Sequence, residues 1–570
     1  MRNTLTQKLT QTIGSVITAF GLLGLMVSAE AQAVYVPPAQ AAPTLSSVAG
    51  LTAALAQLQA RTGKPLIVST YQGMSSYHNL QNGATNALFG STTNTAVLAR
   101  VKVVCPYGAI NPQPVYFNFS TSNNGEISNW LPAVAPTLSF AVEDAATGNV
   151  YPGTFGGKRS TPLDNVGPIT GDPVPIVIPA GGFFYERTML QFTAGANEYA
   201  VKGFAGTGDP LQGQTAAPST LDPATAAAPS GGQTYNYSAA AWVGQQYVSG
   251  PAIVAQGDSR MSIPDYAVPF TTGYFRQLFL GVTGLFCGDV SGNGYSTLQS
   301  PAGIARSKMY AYATHVYIEH GTNDQTGSTA SIVANNLIGR GTVEIRKAVG
   351  FGAKIVMETI APTLGNSSPL SGMADVPGNQ IFPATDAGRR CYNDWIRGVS
   401  IASLNTNYAA AGIVLPAGTV TAAQAGMTSY VEIADLLEGN PAGAVVRNGG
   451  CWRVPSGAYF TGTATGGTAS TITGTSFGSN NLYGMILKYT SGANSGVYTY
   501  VSAASSSTLI TVVGGQNAAG TAVTITAPAS GDTFSVYGAY TLECRLPSSS
   551  IVGGVHTMVS SGLLSTATFN

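Results

Sequence analysis

The chain has 570 residues, with 25 Lys and Arg against 25 Asp and Glu, so its formal net charge is zero. Only 9% of the residues are charged, against roughly 25% in ordinary soluble domains, which excludes charge-driven disorder and a broad electrostatic surface for nucleic acid or anionic lipid. The length excludes a single small domain, because domains have roughly 100–200 residues. A hydrophobic content of 44% and 70 glycines together favour a folded chain with much β structure.

Residues 1–31 have the pattern of a secretory signal peptide. Basic residues precede a short apolar run from Ile13 to Val27, and Ala29-Glu30-Ala31 then fits the small-x-small cleavage pattern. The run is short for a membrane span, which needs about 20 apolar residues, so we expect cleavage rather than an anchor. We therefore expect a secreted, periplasmic or cell-surface protein with no stable membrane insertion after cleavage.

Residues 34–245 are predicted to form a β-rich domain. Short alternating or apolar runs are separated there by Gly, Pro and Asn turns, a spacing typical of an antiparallel sandwich. A helix is expected over 49–61, where leucines recur at helical spacing. The predicted strands are Pro65–Thr70, Ala96–Val104, Val115–Phe119, Leu138–Val142, Pro175–Ile178 and Thr188–Phe192.

Residues 250–457 alternate between strand and helix patterns, which predicts an α/β fold with a parallel sheet flanked by helices. Active sites in such folds gather at the carboxyl ends of the strands. Residues 541–570 return to the α/β pattern. The predicted strands are Ala252–Ala255, His315–Glu319, Ala353–Glu358 and Tyr430–Ile433, with helices near 301–313, 331–349 and 388–404.

Residues 458–540 are predicted to be an inserted β module. Cys451 and Cys544 flank this stretch, and in an oxidising compartment a disulfide across its base is one arrangement, with buried thiols as the alternative. Its aromatics (Tyr483, Tyr489, Tyr498 and Tyr500) could stack on sugars, but we expect alternate ones to face the core of the module. The predicted strands are Met485–Tyr489, Val497–Val501, Thr508–Val513 and Ala522–Thr526.

Three short motifs carry the chemistry. Gly257-Asp258-Ser259 and Gly321-Thr322-Asn323-Asp324 each follow a predicted apolar strand, and Gly554-Val555-His556 lies near the C-terminus. In this order they resemble the blocks of the SGNH/GDSL hydrolase family, over residues 250–457 and 541–570. The resemblance implies an SGNH-type sheet and a carboxylic ester hydrolase.

The resemblance also implies a role for each motif residue. A serine hydroxyl needs a base to take its proton, which makes Ser259 the nucleophile and His556 the base. The oxyanion donors would be the backbone N–H of Ser259, the backbone N–H of Gly292, with Gly294 as the alternative glycine, and the side-chain amide of Asn323. Supporting motif positions are Asp258, Gly321 and Asp324, and we expect the two aspartates to stabilise their local turns.

The chain departs from the family where the acid that orients the histidine should stand. That position, three residues before His556, is Gly553, and the residue after the histidine is Thr557 rather than the usual proline. Three accounts remain open: a backbone carbonyl near Gly553 orients the ring, another acid such as Glu543 does so, or the protein is a weak or inactive relative.

The remaining histidines fit the base less well. His315 begins a predicted buried strand and is expected to be structural, and His78 has no partner motif nearby. His320 directly precedes the glycine of its motif and is expected to be a spacer, with lining the site as the alternative. No His, Cys and carboxylate cluster has the spacing of a metal site, and no phosphate loop or dinucleotide motif occurs, so we expect neither a metal nor a cofactor.

Two classes of function follow from these observations. The first is a secreted serine esterase acting through an acyl-enzyme, with an acetylated polysaccharide as the favoured ester substrate and a lipid or small aliphatic ester as the alternative. The second is a non-catalytic surface or adhesion protein that keeps the scaffold, which Gly553 favours. Neither class implies a nucleic-acid partner.

Overall fold

The computed structural model describes a subset of the chain, all within one compact unit, Ala56–Asn570. The predicted signal peptide and the helix expected over 49–61 lie outside the described residues. The described residues are 64–69, 87–89, 96–117, 120–122, 125–127, 135–164, 167–193, 198–200, 212–216, 222–225, 238–257, 282–288, 294–325, 327–360, 385–439, 451–452, 458, 460–474, 477, 482, 486–502, 506–517 and 522–537.

Antiparallel sheets make up the N-terminal part of the described chain. One sheet has the order β1-β15-β4-β10, with β11 also on β4, and another has the order β14-β3-β12-β7-β8, with β9 also on β7. The strands are β1 (Leu66–Ile67), β2 (Ala87–Phe89), β3 (Ala96–Cys105), β4 (Ala109–Tyr116), β5 (Ser120–Ser122), β6 (Gly125–Ile127), β7 (Thr137–Asp144), β8 (Val150–Pro152), β9 (Thr161–Pro162), β10 (Ile169–Thr170), β11 (Val177–Ile178), β12 (Gly182–Gln191), β13 (Glu198–Ala200), β14 (Gln212–Ala216) and β15 (Ala241–Gln245).

The two larger sheets share a core of aromatic side chains. Trp242 of β15 lies edge-on to Phe184 of β12 and Phe140 of β7, with ring centroids 4.8 and 6.1 Å away. The strand predicted over Val115–Phe119 has the wrong bounds, because β4 begins at Ala109 and includes two prolines. Prolines cannot donate to a ladder and obscured the strand in the sequence.

A buried carboxylate joins the two sheets. Glu186 of β12 is fully buried, and its Oε1 accepts hydrogen bonds from the Tyr116 hydroxyl at 3.0 Å, the Thr188 hydroxyl at 2.8 Å and the Ala239 N–H at 2.8 Å. Its Oε2 accepts from Trp242 Nε1 at 3.0 Å. Since Tyr116, Ala239 and Trp242 lie on or beside the strands of the opposite sheet, the sheets are connected by polar bonds as well as by packing.

A parallel five-stranded sheet follows, with the order β17-β16-β18-β19-β20. The structure is thus a mixed α/β fold with antiparallel sheets beside the parallel one. The strands are β16 (Ala252–Gly257), β17 (Thr283–Gly288), β18 (His315–Ile318), β19 (Lys354–Glu358) and β20 (Ser429–Val431), and the short strands β21 (Glu438–Gly439) and β22 (Cys451–Trp452) pair with each other.

Helices pack against the parallel sheet. The longest, α2, begins after the N-cap Thr329, whose hydroxyl accepts from the Ile332 N–H, and buries one face that includes Val333, Leu337 and Ile345. The helices are α1 (Pro301–Ser307), α2 (Ala330–Gly350), α3 (Asp386–Ile396), α4 (Ile401–Asn407), α5 (Ala422–Ala425) and α6 (Ala434–Leu437), with 3-10 turns at Tyr295–Gln299, Lys308–Tyr312, Asn323–Gln325 and Ala409–Ala411. The predicted helices near 301–313, 331–349 and 388–404 correspond to these segments.

The antiparallel sheet that contains β1 and β4 shares part of its core with the parallel sheet. Ile67 of β1 and Val115 of β4 belong to the same buried cluster as Val254 of β16 and Val316 of β18. The Gly284 N–H of β17 also donates to the Ser69 carbonyl, at 3.0 Å. The N-terminal strands therefore support one edge of the parallel sheet directly.

A closed six-stranded barrel forms the last described part, with the order β23-β24-β27-β26-β25-β28. Tyr489 is fully buried in its core, as expected for alternate aromatics, and Tyr498 is partly buried with Lys488 Nζ 5.3 Å from its ring centroid. The strand predicted over Ala522–Thr526 is wrong, since the chain is irregular there and a later strand closes the barrel. The strands are β23 (Phe460–Thr468), β24 (Thr471–Gly474), β25 (Ile486–Tyr489), β26 (Tyr498–Val501), β27 (Leu509–Gln516) and β28 (Thr533–Tyr537).

Candidate active site

The order of the parallel strands sets where a site can form. Strand β16 comes first along the chain among the strands of the parallel sheet, and it lies between β17 on one side and β18 on the other. The chain therefore changes direction across the sheet between β16 and β18. In open α/β sheets, ligands bind at the carboxyl ends of the strands beside such a switch point. Gln256 pairs with Ile318 in register, and the Glu319 N–H donates to the Gln256 carbonyl at 2.8 Å.

The two strand-end motifs therefore begin at adjacent positions. The Gly257-Asp258-Ser259 motif starts at the last residue of β16, and Gly321 follows the end of β18 by three residues. The structure describes Gly321, Asn323 and Asp324. Asp258, Ser259, Gly292 and His556 lie outside the described residues, as do Gly553 and Glu543.

Gly321 occupies a position that requires glycine. Its φ is +137°, which residues with a side chain rarely adopt, and a Cβ there would overlap with the Cδ1 of Ile360. The carbonyl of Gly321 accepts the Asp324 N–H at 3.2 Å, and Asn323 begins a 3-10 turn. This tight turn presents the partly buried Asn323 five residues after the end of β18.

The carboxylate of Asp324 makes long-range hydrogen bonds. Its Oδ2 accepts the Tyr295 N–H at 2.8 Å, and its Oδ1 accepts from Arg340 Nη1 at 2.5 Å. The backbone of Gly294 packs against the same carboxylate so closely that a Cβ would overlap with it. Asp324 therefore connects its own turn to the segment that follows Gly292, and neither Tyr295 nor Arg340 carries a sequence signal for this contact.

His320 is buried at the edge of this site, beyond the spacer role expected for it. It is 1% exposed, and its ring centroid lies 5.7 Å from that of Tyr295. Burial, with a smaller contribution from the Arg306 charge, lowers the pKa of His320 to about 3, so its imidazole is neutral at physiological pH. Among the residues that the structure describes, neither ring nitrogen of His320 has a hydrogen-bond partner, and the same holds for the side-chain amide of the buried Gln256.

His315 has the structural surroundings that its place in the strand predicts. It is buried at the start of β18, and its Nδ1 lies 2.9 Å from the Thr314 hydroxyl. Burial, and secondarily the Lys354 charge, lowers the pKa of His315 to about 4. His78 lies outside the described residues.

Buried carboxylates also lie at the carboxyl ends of β18 and β19, where the sequence motifs gave no signal. Glu319 is 1% exposed and Glu358 is 2% exposed. The Tyr317 hydroxyl donates to Glu358 Oε2 at 2.6 Å. These groups increase the polarity of the carboxyl-terminal edge of the parallel sheet.

The described residues contain no cluster of His, Cys, Asp and Glu that could hold a metal ion. Cys105 and Cys391 are buried free thiols, and burial raises the pKa of both, that of Cys391 to about 12. The side chain of Cys451 and all of Cys544 fall outside the described residues, so their pairing stays a prediction. Within the described segments, no helix combines the length and the apolar character needed to cross a membrane.

Comparison with known proteins gives only distant similarities. Neither a scan against protein-family models nor a search of curated proteins finds a match. A proposed acylhydrolase from Bacteroides fragilis is 16% identical, covers 36% of this chain and 79% of its own, and has a TM-score of 0.19. The Bacillus subtilis protein YxiM is 11% identical, with 60% and 77% coverage and a TM-score of 0.20.

A third solved structure, a family two carbohydrate esterase from Cellvibrio japonicus, is 10% identical. The similarity covers 65% of this chain and 85% of the esterase, with a TM-score of 0.21. TM-scores this low do not establish a shared fold, so the function of this chain has to be inferred from its own residues.

Proposed function

We propose that this protein is a secreted serine hydrolase that cleaves ester bonds through an acyl-enzyme. The observation that carries the proposal is the adjacency of β16 and β18 at the switch point of the parallel sheet. The Gly-Asp-Ser motif begins at the end of one strand and Gly-Thr-Asn-Asp follows the other. This arrangement supports a nucleophile and an oxyanion donor that act on the same carbonyl group.

In this mechanism the Ser259 hydroxyl attacks the ester carbonyl while His556 takes its proton. The backbone N–H groups of Ser259 and Gly292 and the side-chain amide of Asn323 stabilise the oxyanion that forms. His556 then returns the proton to the leaving alcohol, which leaves an acyl group on Ser259. Water, activated by the same histidine, releases the acid and restores the enzyme.

The proposed substrate class is an O-acetyl ester on a polysaccharide. Its support is the predicted export of the chain together with the β sandwich and the barrel, which add surfaces beyond the catalytic sheet. The runner-up substrate is a lipid or a small aliphatic ester. We place the activity outside the cytoplasm, in the periplasm, at the cell surface or in the medium.

One feature of the sequence favours a different class of function. Gly553 stands where an acid would orient the base, and losing that acid can lower the rate by several orders of magnitude. A non-catalytic surface or adhesion protein that keeps the scaffold is therefore the second candidate. The serine, asparagine and histidine retained in the motifs support the enzyme instead.

The test measures hydrolysis of p-nitrophenyl acetate by the purified chain and by Ser259→Ala and Asn323→Ala. We expect Ser259→Ala to abolish turnover without unfolding the protein, and Asn323→Ala to lower kcat by about 100- to 1000-fold, as the loss of an oxyanion donor does. Ser328→Ala, at an exposed serine after the same turn, is the matched control and should keep full activity.

A fluorophosphonate probe adds a readout that does not depend on the choice of substrate. It should label the wild-type chain on Ser259, located by peptide mass spectrometry, and leave Ser259→Ala unlabelled. Equal hydrolysis by wild type and Ser259→Ala, or a wild-type chain that neither turns over esters nor takes the label, would refute the enzyme and favour the adhesion protein. A panel of acetylated glycans and short acyl esters then separates the two substrate classes.

A further inference from the structure

The Asp324 carboxylate is held on both oxygens by residues far away in the sequence. The Tyr295 N–H, 29 residues away, donates to Oδ2 at 2.8 Å, and Arg340 Nη1, 16 residues away, donates to Oδ1 at 2.5 Å. The carboxylate side chain is only 2% exposed, while that of Arg340 is 34% exposed. A buried carboxylate is stable when a cation and hydrogen-bond donors compensate for its lost hydration, and both are present here.

Asp324 and its partner Tyr295 lie next to the residues that would supply the oxyanion donors. Asn323 directly precedes Asp324, and Gly292 lies three residues before Tyr295. The Gly294 backbone touches the carboxylate so closely that no side chain fits between them. One carboxylate therefore links the Asn323 turn to the segment that contains Gly294 and Tyr295.

Tyr295 is itself fixed at more than one point. Its hydroxyl lies 2.5 Å from that of Tyr392 on α3, and its ring packs against His320. Its side chain is buried, and burial raises the pKa of Tyr295 well above its usual value, so the hydroxyl stays neutral. With Tyr295 fixed, any movement of Asp324 changes the position of the Asn323 turn relative to this segment.

We infer that Arg340 is a positioning residue of the oxyanion hole, acting through Asp324, an inference that rests on the proposed ester hydrolysis. Arg340 extends from α2, a helix that packs on the sheet, so it ties the carboxylate to a rigid element. Its effect is to hold the Asp324 carboxylate aimed at the Tyr295 N–H, which fixes the Asn323 turn relative to the segment that contains Tyr295.

The test compares Arg340→Gln, Arg340→Lys and Arg346→Gln with the wild-type chain. Arg346 lies on the same helix and is exposed, so its substitution is the matched control. We expect Arg340→Gln to lower kcat for p-nitrophenyl acetate at least tenfold with KM changed less than twofold, because donor geometry matters in the transition state. Arg340→Lys should recover most of kcat, and Arg346→Gln should match the wild type.

Hydrogen–deuterium exchange supplies a readout that does not require activity. In Arg340→Gln, peptides that contain Tyr295 and Asn323 should exchange faster than in Arg346→Gln, while peptides of the barrel should not change. If Arg340→Gln does not fold, Arg340→Lys and Asp324→Asn replace it in the comparison with Arg346→Gln. We then expect Asp324→Asn to have a lower kcat than Arg340→Lys.

The outcomes separate this inference from the proposed function. Wild-type kcat in Arg340→Gln, or unchanged exchange in both peptides, overturns the positioning role while ester hydrolysis stands. A parallel rise in KM with unchanged kcat also overturns it, since that pattern indicates lost ground-state binding. A wild-type chain without ester hydrolysis refutes the proposed function. In that case, exchange in Arg340→Gln that equals exchange in Arg346→Gln would refute the Asp324 linkage as well.

Discussion

The substitution Glu186→Gln tests how the polar bonds between the two sandwich sheets contribute to stability. Glutamine has nearly the same shape, so it can keep its oxygen where Oε1 accepts from Tyr116, Thr188 and Ala239. Its NH2 group then faces Trp242 Nε1, which is also a donor, so one hydrogen bond becomes a donor–donor contact. We expect the free energy of unfolding to fall by about 1–3 kcal/mol, the usual cost of one buried group left unpaired.

The pH dependence of this effect has a defined sign. Burial raises the pKa of Glu186, against four hydrogen bonds that lower it. A carboxyl whose folded-state pKa lies above its unfolded value contributes stability that is fully present below the unfolded pKa of about 4.3 and is lost as pH rises through the folded pKa. Glutamine does not titrate. The difference in unfolding free energy between wild type and Glu186→Gln should therefore narrow as pH rises from the unfolded pKa of Glu186 through its folded pKa.

Urea denaturation at a series of pH values measures both effects. Tyr116→Phe is the companion variant, because it removes one donor to Oε1 and should cost about 0.5–1.5 kcal/mol. In a double-mutant cycle Tyr116→Phe and Glu186→Gln should show a coupling of about 0.5–3 kcal/mol, because the two residues are hydrogen-bonded in one buried network. A Glu186→Gln variant as stable as the wild type, or a stability difference that widens with pH, would refute this reasoning.

Two further predictions concern single residues near the sheet and in the cores. Gly321→Ala should lower both the thermal stability and the esterase activity, because φ at this position is +137° and the added Cβ would overlap with Ile360. A variant with the melting temperature and kcat of the wild type would contradict the turn geometry. Cys105 and Cys391 should stay unreactive toward a thiol reagent in the folded protein and become reactive in urea, because both thiols are buried and their pKa values are raised. Rapid labelling of either thiol under native conditions would contradict this burial.

The motifs that support the enzyme were visible in the sequence, but the pairing of the strands that precede two of them was not. The apolar runs at Ala252–Ala255 and His315–Glu319 predict strands, and the structure has β16 and β18 there. Periodicity does not say which strands are neighbours. Strand β17 went unpredicted because Gly284 and Gly288 leave only three apolar residues between them, which resembles a turn more than a strand.

The contacts of the candidate site depend on side chains far apart in the chain. Asp324 looked like a local turn residue, because aspartate often bonds its own backbone, whereas its bonds reach Tyr295 and Arg340. His320 looked like a spacer and is a buried, neutral ring. Ser259, Gly292 and His556 lie outside the described residues, so their roles stay predictions.

The sequence by itself determined four of the five parallel strands, the main helices of the α/β part and the order of the three motifs, because these depend on residues close in the chain. Only the tertiary structure decided that β16 and β18 are adjacent, that one carboxylate joins two segments of the candidate site, and that Glu186 joins two sheets. These arrangements arise when buried polar groups must find partners, and the partners come from wherever the fold brings a donor within reach.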